Sequence, residues 1–253
     1  MKAHITLFLY PFLNTVSKGR SFEYLRLTSL GVVGALVKVD DSEVISFLLQ
    51  TEIIPLCLRI MERGTDLSQT VATFIIQKIL MDNNGLTYLC MTAERFFAVS
   101  TVLNNMVESQ LIKPSTRLLK HIIKCYFRLS ENPRAQMALN TTLPTIVREM
   151  LNENKKLTDN LDESSKKLLN SLIETLQISN QRNSNQLGEE VASSQDSMEH
   201  SSLSHEQPSN DFTSGRATSA DQYDPQGRSQ QVNQQHQQYQ NQRQNSLQPM
   251  SNQ

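Results

Sequence analysis

The side chains able to do chemistry in this chain are few and scattered. Its three cysteines are Cys57, Cys90 and Cys125, each inside an apolar stretch and far in sequence from the others. An odd count without paired spacing argues against a disulfide framework and against a zinc site. Buried, reduced thiols are expected, which fits a reducing compartment. Of the five histidines, His4 and His121 precede the polar C-terminal stretch. His121 lies in RLLKHIIKCYF among basic neighbours and reads as a partly exposed helix residue rather than a general base. Asp40, Asp41 and Glu43 surround a turn, where helix capping accounts for them without a metal. There is no Gly-rich phosphate loop, no HExxH, no GxSxG and no CxxC. No catalytic set, metal or cofactor is expected, and the chain reads as a non-enzyme.

One charge pattern remains. Arg117, Lys120, Lys124 and Arg128 follow i, i+3, i+7, i+11 spacing, which places four cations on one helix face. Lys113 and Arg134 are close by in sequence. This face is either a solvated exterior or a basic wall able to meet acidic peptides or nucleic-acid phosphates. Residues 1–179 hold 20 Lys+Arg and 17 Asp+Glu, and the chain has no Trp. So small a positive excess and so few stacking rings weigh against a dedicated nucleic-acid binder.

The elements that carry these residues are helices. From about residue 4 to 178 apolar residues recur every three or four positions, without a sustained period-2 run. Phe22, Leu25, Leu27, Leu30, Val33 and Leu36 line one expected helix. Asp66 is positioned to cap another, with Leu67, Val71, Phe74, Ile75 and Ile79 on its buried side. Asn83-Asn84-Gly85 reads as a break, followed by helices near 86–91, 94–109, 115–129, 133–139 and 144–152. The plan repeats: a long helix, a polar turn at Asp40, Asp82 or Ser130, a short helix, then a third. Three helices per 42–48 residues is armadillo or HEAT spacing. The expected fold is all-α, an armadillo-like superhelix over 1–179, with an irregular helical bundle as the alternative. Residues 180–253 hold 17 Gln, with Ser, Asn and Asp filling much of the rest, and too little apolar surface to offset ordering entropy. A disordered tail is expected there. No run approaches 18 apolar residues, and MKAHITLFLYPFLNTV lacks the flanks of a signal peptide, so no membrane association is expected.

Longer blocks carry a family resemblance. FLYPFLNTVSKGRSFEYLRLTSLGVVGALVKVDDSEVISFLLQTEIIPLCLRIMERG, then TVATFIIQKIL, then RLLKHIIKCYFRLSENPRA closely resemble, in order, the armadillo subunit of the CCR–NOT deadenylase complex. This is the required-for-cell-differentiation, or Caf-forty, type, and the resemblance covers residues 4–152. It implies a non-catalytic adaptor in mRNA decay and translational repression. The implied partners are the large Not scaffold subunit and Trp-containing or amphipathic peptide motifs of repressor proteins. Self-association and nucleic-acid binding are further implied properties. The implied compartment is the cytoplasm, with the nucleus second. Carried over by position, the tryptophan pockets fall on Leu67, Thr70 and Arg95, and on Arg134 and Ala138; the concave peptide site falls on Tyr24, Gly31 and Val71. An indole needs an apolar slot with a cation to stack on its face. Gly31 inside a helix costs about 1 kcal/mol relative to Ala, a cost understandable if a neighbouring helix or a docked peptide needs the space.

Two departures bear on function. Ala93 stands where the family carries an aromatic residue two positions before the arginine, which should shrink that pocket's stacking surface. Family members also carry further helical repeats before the position of His4. The first helices here are therefore expected to leave an open edge exposing Ile5, Leu7, Phe8, Phe12 and Leu13.

Overall fold

The computed structural model describes residues 3–15, 17, 19–151 and 155–199, with side chains placed for 8–15, 17, 19–151 and 157–181. Twelve helices follow one another, with no strand among the described residues. They are α1 Ala3–Asn14, α2 Arg20–Val37, α3 Ser42–Leu49, α4 Ile53–Arg63, α5 Asp66–Met81 and α6 Asn83–Cys90. Then come α7 Ala93–Ser109, α8 Thr116–Ser130, α9 Pro133–Thr142, α10 Thr145–Glu149, α11 Lys155–Thr158 and α12 Glu163–Glu199. Within residues 1–181 they stack in ladders: α2 on α5 on α8, α1 on α4 on α7 on α10, and α3 on α6. Every third helix packing on its equivalent is the armadillo arrangement that the repeated sequence plan predicts. No single described helix is long and apolar enough to cross a membrane.

Short polar residues set the helix starts. Asp41, Thr65, Asp82, Thr92, Ser115 and Asn132 each accept a backbone N–H in the first turn of the helix that follows. Thr65, not Asp66, is thus the cap of α5, and Asp41 and Asp82 are spent on capping. Asp40 occupies the left-handed region at φ 56 and accepts an ion pair from Lys78 at 2.6 Å. The expected break at Asn83-Asn84-Gly85 is instead the first turn of α6, and Asp82 alone separates it from α5. Gly85 makes that bend feasible, since a Cβ there would lie 1.9 Å from the Ile79 carbonyl oxygen.

The core runs along the middle ladder. Ile75, Ile76, Ile79 and Leu80 of α5 are fully enclosed, with Met61, Leu89 and Leu103 from the adjoining helices. Tyr126 is buried beneath α7 and donates its hydroxyl to Asn104 at 2.6 Å, while Asn104 donates to the Thr142 carbonyl. On α2 the buried side is Arg26, Ser29, Leu30, Val33, Gly34 and Val37; of the apolar residues expected to line this helix, Phe22 and Leu25 are exposed. Arg26 is buried because its guanidinium pairs with Glu23 and donates to the Thr15 and Ser17 carbonyls.

The apolar residues of α1 are covered unequally. Phe8 is 75% and Phe12 42% exposed, but Leu13 is buried, turned inward on the helix face opposite Phe8. The side chains of Ile5 and Leu7 fall outside the described set. At the other end the compact unit closes at Gln181, near the compositional boundary at 179. The helical backbone of α12 continues to Glu199. Poor packing composition does not forbid local helix, because Gln, Glu and Ala have good intrinsic helix propensity. Residues 200–253 of the expected tail lie outside the described residues.

Candidate functional site

The α2–α5–α8 ladder presents one continuous face. Its helices run parallel: Glu23 meets Ser68 near the starts of α2 and α5, and Asp40 meets Lys78 near their ends. Phe74 meets His121 in the middle of α5 and α8, and the Leu80 carbonyl meets Arg128 near their ends. Of the three positions expected at the concave peptide site, Tyr24 and Gly31 are both exposed and lie two turns apart on α2. Val71 of α5 is half-buried and reaches across the helix pair, its Cγ1 lying 3.7 Å from where a Gly34 Cβ would be, next to Phe74. Gly31 itself has nothing among the described residues within 4 Å of its missing side chain. Of the two explanations for that glycine, close packing by a neighbouring helix is thereby removed.

His121 joins this face from α8. Its ring stands edge-on to Phe74 with centroids 5.6 Å apart, and Nδ1 lies 2.6 Å from Oε1 of Gln77. Burial, then the Lys124 and Arg117 charges, push its pKa down to about 4, so the imidazole is neutral at physiological pH. It acts as a packing group. The four-cation stripe is not a uniform charged surface. Lys120 is tied to Asp162 at 2.8 Å, and Arg128 is bound to Glu131, Asn83 and the Leu80 carbonyl. Lys113 is paired with Asp66 and Arg134 is exposed. Arg117 and Lys124 have no carboxylate partner among the described residues.

The expected first tryptophan pocket is not assembled as one place. Leu67 is exposed at the start of α5, whereas Thr70 is buried with its hydroxyl donated to the Asp66 carbonyl. That end of α5 adjoins the far end of α7, through Thr73 against Met106 and Asp66 against Lys113. Arg95 lies at the opposite end of α7, about 16 Å of helix rise away from Met106. The earlier grouping of Leu67 and Thr70 with Arg95 is therefore corrected: α7 holds them apart.

Arg95 has its own recess. Its guanidinium carbon lies 3.9 Å from the centre of the Tyr88 ring, and Nη1 approaches the Tyr88 carbonyl at 3.4 Å. The recess is about 240 Å³, lined by Thr51, Ile54, Pro55 and Leu58 on one wall and Tyr88, Leu89, Glu94, Arg95 and Ala98 on the other. It is below the roughly 300 Å³ at which drug-sized pockets begin, so it suits a single inserted side chain. Tyr88 supplies a stacking ring despite Ala93, which is half-buried. Sequence reasoning missed this recess because its walls come from α4, α6 and α7, and no helical period links Pro55 or Tyr88 to Arg95. Arg134 and Ala138 do share a face, one turn apart on α9, with Ala138 half-buried.

The thiols play no part on these surfaces. All three are buried, and burial pushes Cys57 up to about 12, Cys90 to about 11 and Cys125 higher still. No group of three potential metal ligands occurs among the described residues.

The family model described as the cell differentiation family, Rcd1-like, matches residues 1–176. The cell differentiation protein rcd1 of Schizosaccharomyces pombe is 66% identical over 149 residues, covering 59% of this chain and 53% of that protein. Protein CAF40 of Saccharomyces cerevisiae is 56% identical over 179 residues, covering 70% of this chain and 47% of that protein. The chain thus spans about half the length of these curated relatives.

Proposed function

The chain belongs to the Rcd1-like cell differentiation family, and from that premise we propose that it is a non-catalytic adaptor of the CCR–NOT deadenylase complex. It binds the Not scaffold and short peptide segments of repressors, and so promotes mRNA decay and translational repression, in the cytoplasm and secondarily the nucleus. The observation that carries this reading is the open α2–α5–α8 face, where Gly31 leaves space that no part of the described chain fills. Beside it Tyr24, Val71 and Phe74 offer partly exposed apolar surface, the composition an amphipathic helix requires of its groove. The Tyr88–Arg95 recess and the Arg134–Ala138 face of α9 are further places for inserted partner side chains.

Nucleic acid is the second reading and has less support. Phosphate binding draws its affinity from several free cations, and the fold engages Lys120 and Arg128 internally. The test is co-purification of the full chain with the helical segment of the Not scaffold from the same organism, followed by calorimetry. A stable complex near one to one is expected. A soluble, helical, monodisperse sample that does not bind would contradict the adaptor reading.

A further inference from the structure

The α2–α5–α8 face changes character along its length. On α2 and α5 it is apolar, at Tyr24, Val71 and Phe74, and Phe74 hands it on to α8 by touching His121. There the helix period offers four cations, but the fold neutralises two. Lys120 is held by Asp162, and Arg128 by Glu131 with the Leu80 carbonyl. Arg117 and Lys124 remain. They stand four residues before and three residues after His121, hence on the same helix face as the imidazole that meets Phe74.

No carboxylate among the described residues balances this pair. The α5 side chain facing His121 is the neutral amide of Gln77, and the nearby Lys78 is already paired with Asp40. Arg117 is also placed against the field of its own helix. It lies in the first turn of α8, where unpaired amides give the helix a positive end, and that turn holds no acidic residue. Both cations press on His121, whose ring stays neutral by burial and by their charge. The fold thus keeps two like charges beside an apolar strip at a small electrostatic disadvantage, with no carboxylate partner among the described residues.

We propose that the helical peptide received by the α2–α5–α8 face carries carboxylates at one end, and that Arg117 and Lys124 receive them; this rests on the adaptor reading above and specifies its partner. The apolar strip takes the aliphatic side of the peptide, and the two cations fix its direction and register. Charge at the edge of an apolar contact acts in this way, contributing more to specificity than to gross affinity. A nucleic acid fits less well, because two cations flanking His121 provide neither a phosphate track nor a stacking surface.

The experiment uses the full chain and two fluorescein-labelled model helices of about 18 residues, roughly 27 Å long. They share one leucine stripe; one ends in three glutamates, the other in three glutamines. Anisotropy titrations are run at low and at moderate salt, on the unmodified protein, on Arg117→Gln/Lys124→Gln and on Val71→Glu. The acidic-ended helix is expected to bind about three- to tenfold more tightly at low salt, with the advantage shrinking as salt rises. That preference disappears in the double variant, whose fold is checked by circular dichroism, while Val71→Glu, which puts a carboxylate on the apolar strip, weakens both helices, the acidic-ended one more. Equal binding of the two helices, or a preference that survives the double substitution, overturns the proposal while leaving the groove reading intact. Binding of neither helix overturns both. A single-stranded oligouridine that binds through Arg117 and Lys124 and displaces the acidic helix assigns the cations to nucleic acid and overturns the proposal.

Discussion

Helices α2 and α5 occupy equivalent rungs of the same ladder, yet they are buried very differently. Ala72, Ile75, Ile76, Ile79 and Leu80 of α5 are completely enclosed, because α4, α6, α2 and α8 surround it. On α2, Phe22, Leu25 and Val32 remain exposed, and part of the buried side is the polar Arg26 with its carbonyl and carboxylate partners. Both helices have the apolar period of a repeat element. What separates them is how many neighbours each finds, and the three-to-four-residue rhythm carries no information on that. The lesson is that periodicity identifies rungs, while the stack decides which sides of a rung are covered.

Substitutions should therefore have unlike effects on the two helices. Ile76→Ala should lower unfolding stability by about 2–5 kcal/mol, since it opens a cavity in an enclosed core. Leu25→Gln should change it by less than about 0.5 kcal/mol, since the side chain is 44% exposed. Chemical denaturation of both variants checks this; equal losses would mean that α2 is covered as fully as α5. Gly85→Ala should be at least as damaging as Ile76→Ala, because its Cβ has no room against the Ile79 carbonyl and α6 would have to move.

An acid titration probes the joint between α5 and α8. His121 is held at about 4 when folded but titrates near 6.5 when unfolded, so between those values the unfolded chain binds the extra proton. Stability present above pH 6.5 should then fall as the pH drops toward 4. In His121→Gln that part of the slope should flatten. Glu23 on α2 acts in a lower window. Burial opposes its ionisation, but hydrogen bonds from Ser68 and Thr65 and the Arg26 charge outweigh it and hold its pKa below the usual value. Its contribution should be lost only as the pH falls below the ordinary carboxylate range. The smallest effect is favourable. Gly31→Ala should stabilise the chain by up to about 1 kcal/mol, because helix propensity improves and the new methyl meets nothing. Thermal melts would contradict this if the variant proved less stable than the parent.

The sequence made the helices, their capped starts and the repeated plan readable because each is a local pattern. Tyr24, Gly31 and Val71 fall along one ladder face because α2 and α5 are equivalent elements of successive repeats. The Tyr88–Arg95 recess was not readable, since it joins residues of α4, α6 and α7 that only stacking brings together. Leu67 and Thr70 were misgrouped with Arg95 for the same reason: distance along α7 is invisible until α5 is laid against it. The four-cation stripe is legible as a spacing but not as a surface, because Asp162 comes from a distant part of the chain to hold Lys120, while Glu131 at the C-cap of α8 holds Arg128. Asn83 to Gly85 looked like a break by composition. A capped first turn uses the same residues, and the close approach of Ile79 to Gly85 settles the choice.

The most direct test of the central claim fills the space above Gly31. Gly31→Trp adds a large side chain where the parent has open surface, so the variant should fold, with circular dichroism and melting close to the parent. In calorimetry against an amphipathic helical peptide, the parent should bind near one to one and the variant at least about tenfold more weakly. Unchanged affinity in a well-folded Gly31→Trp would contradict the assignment of the α2–α5–α8 face as the peptide-docking surface.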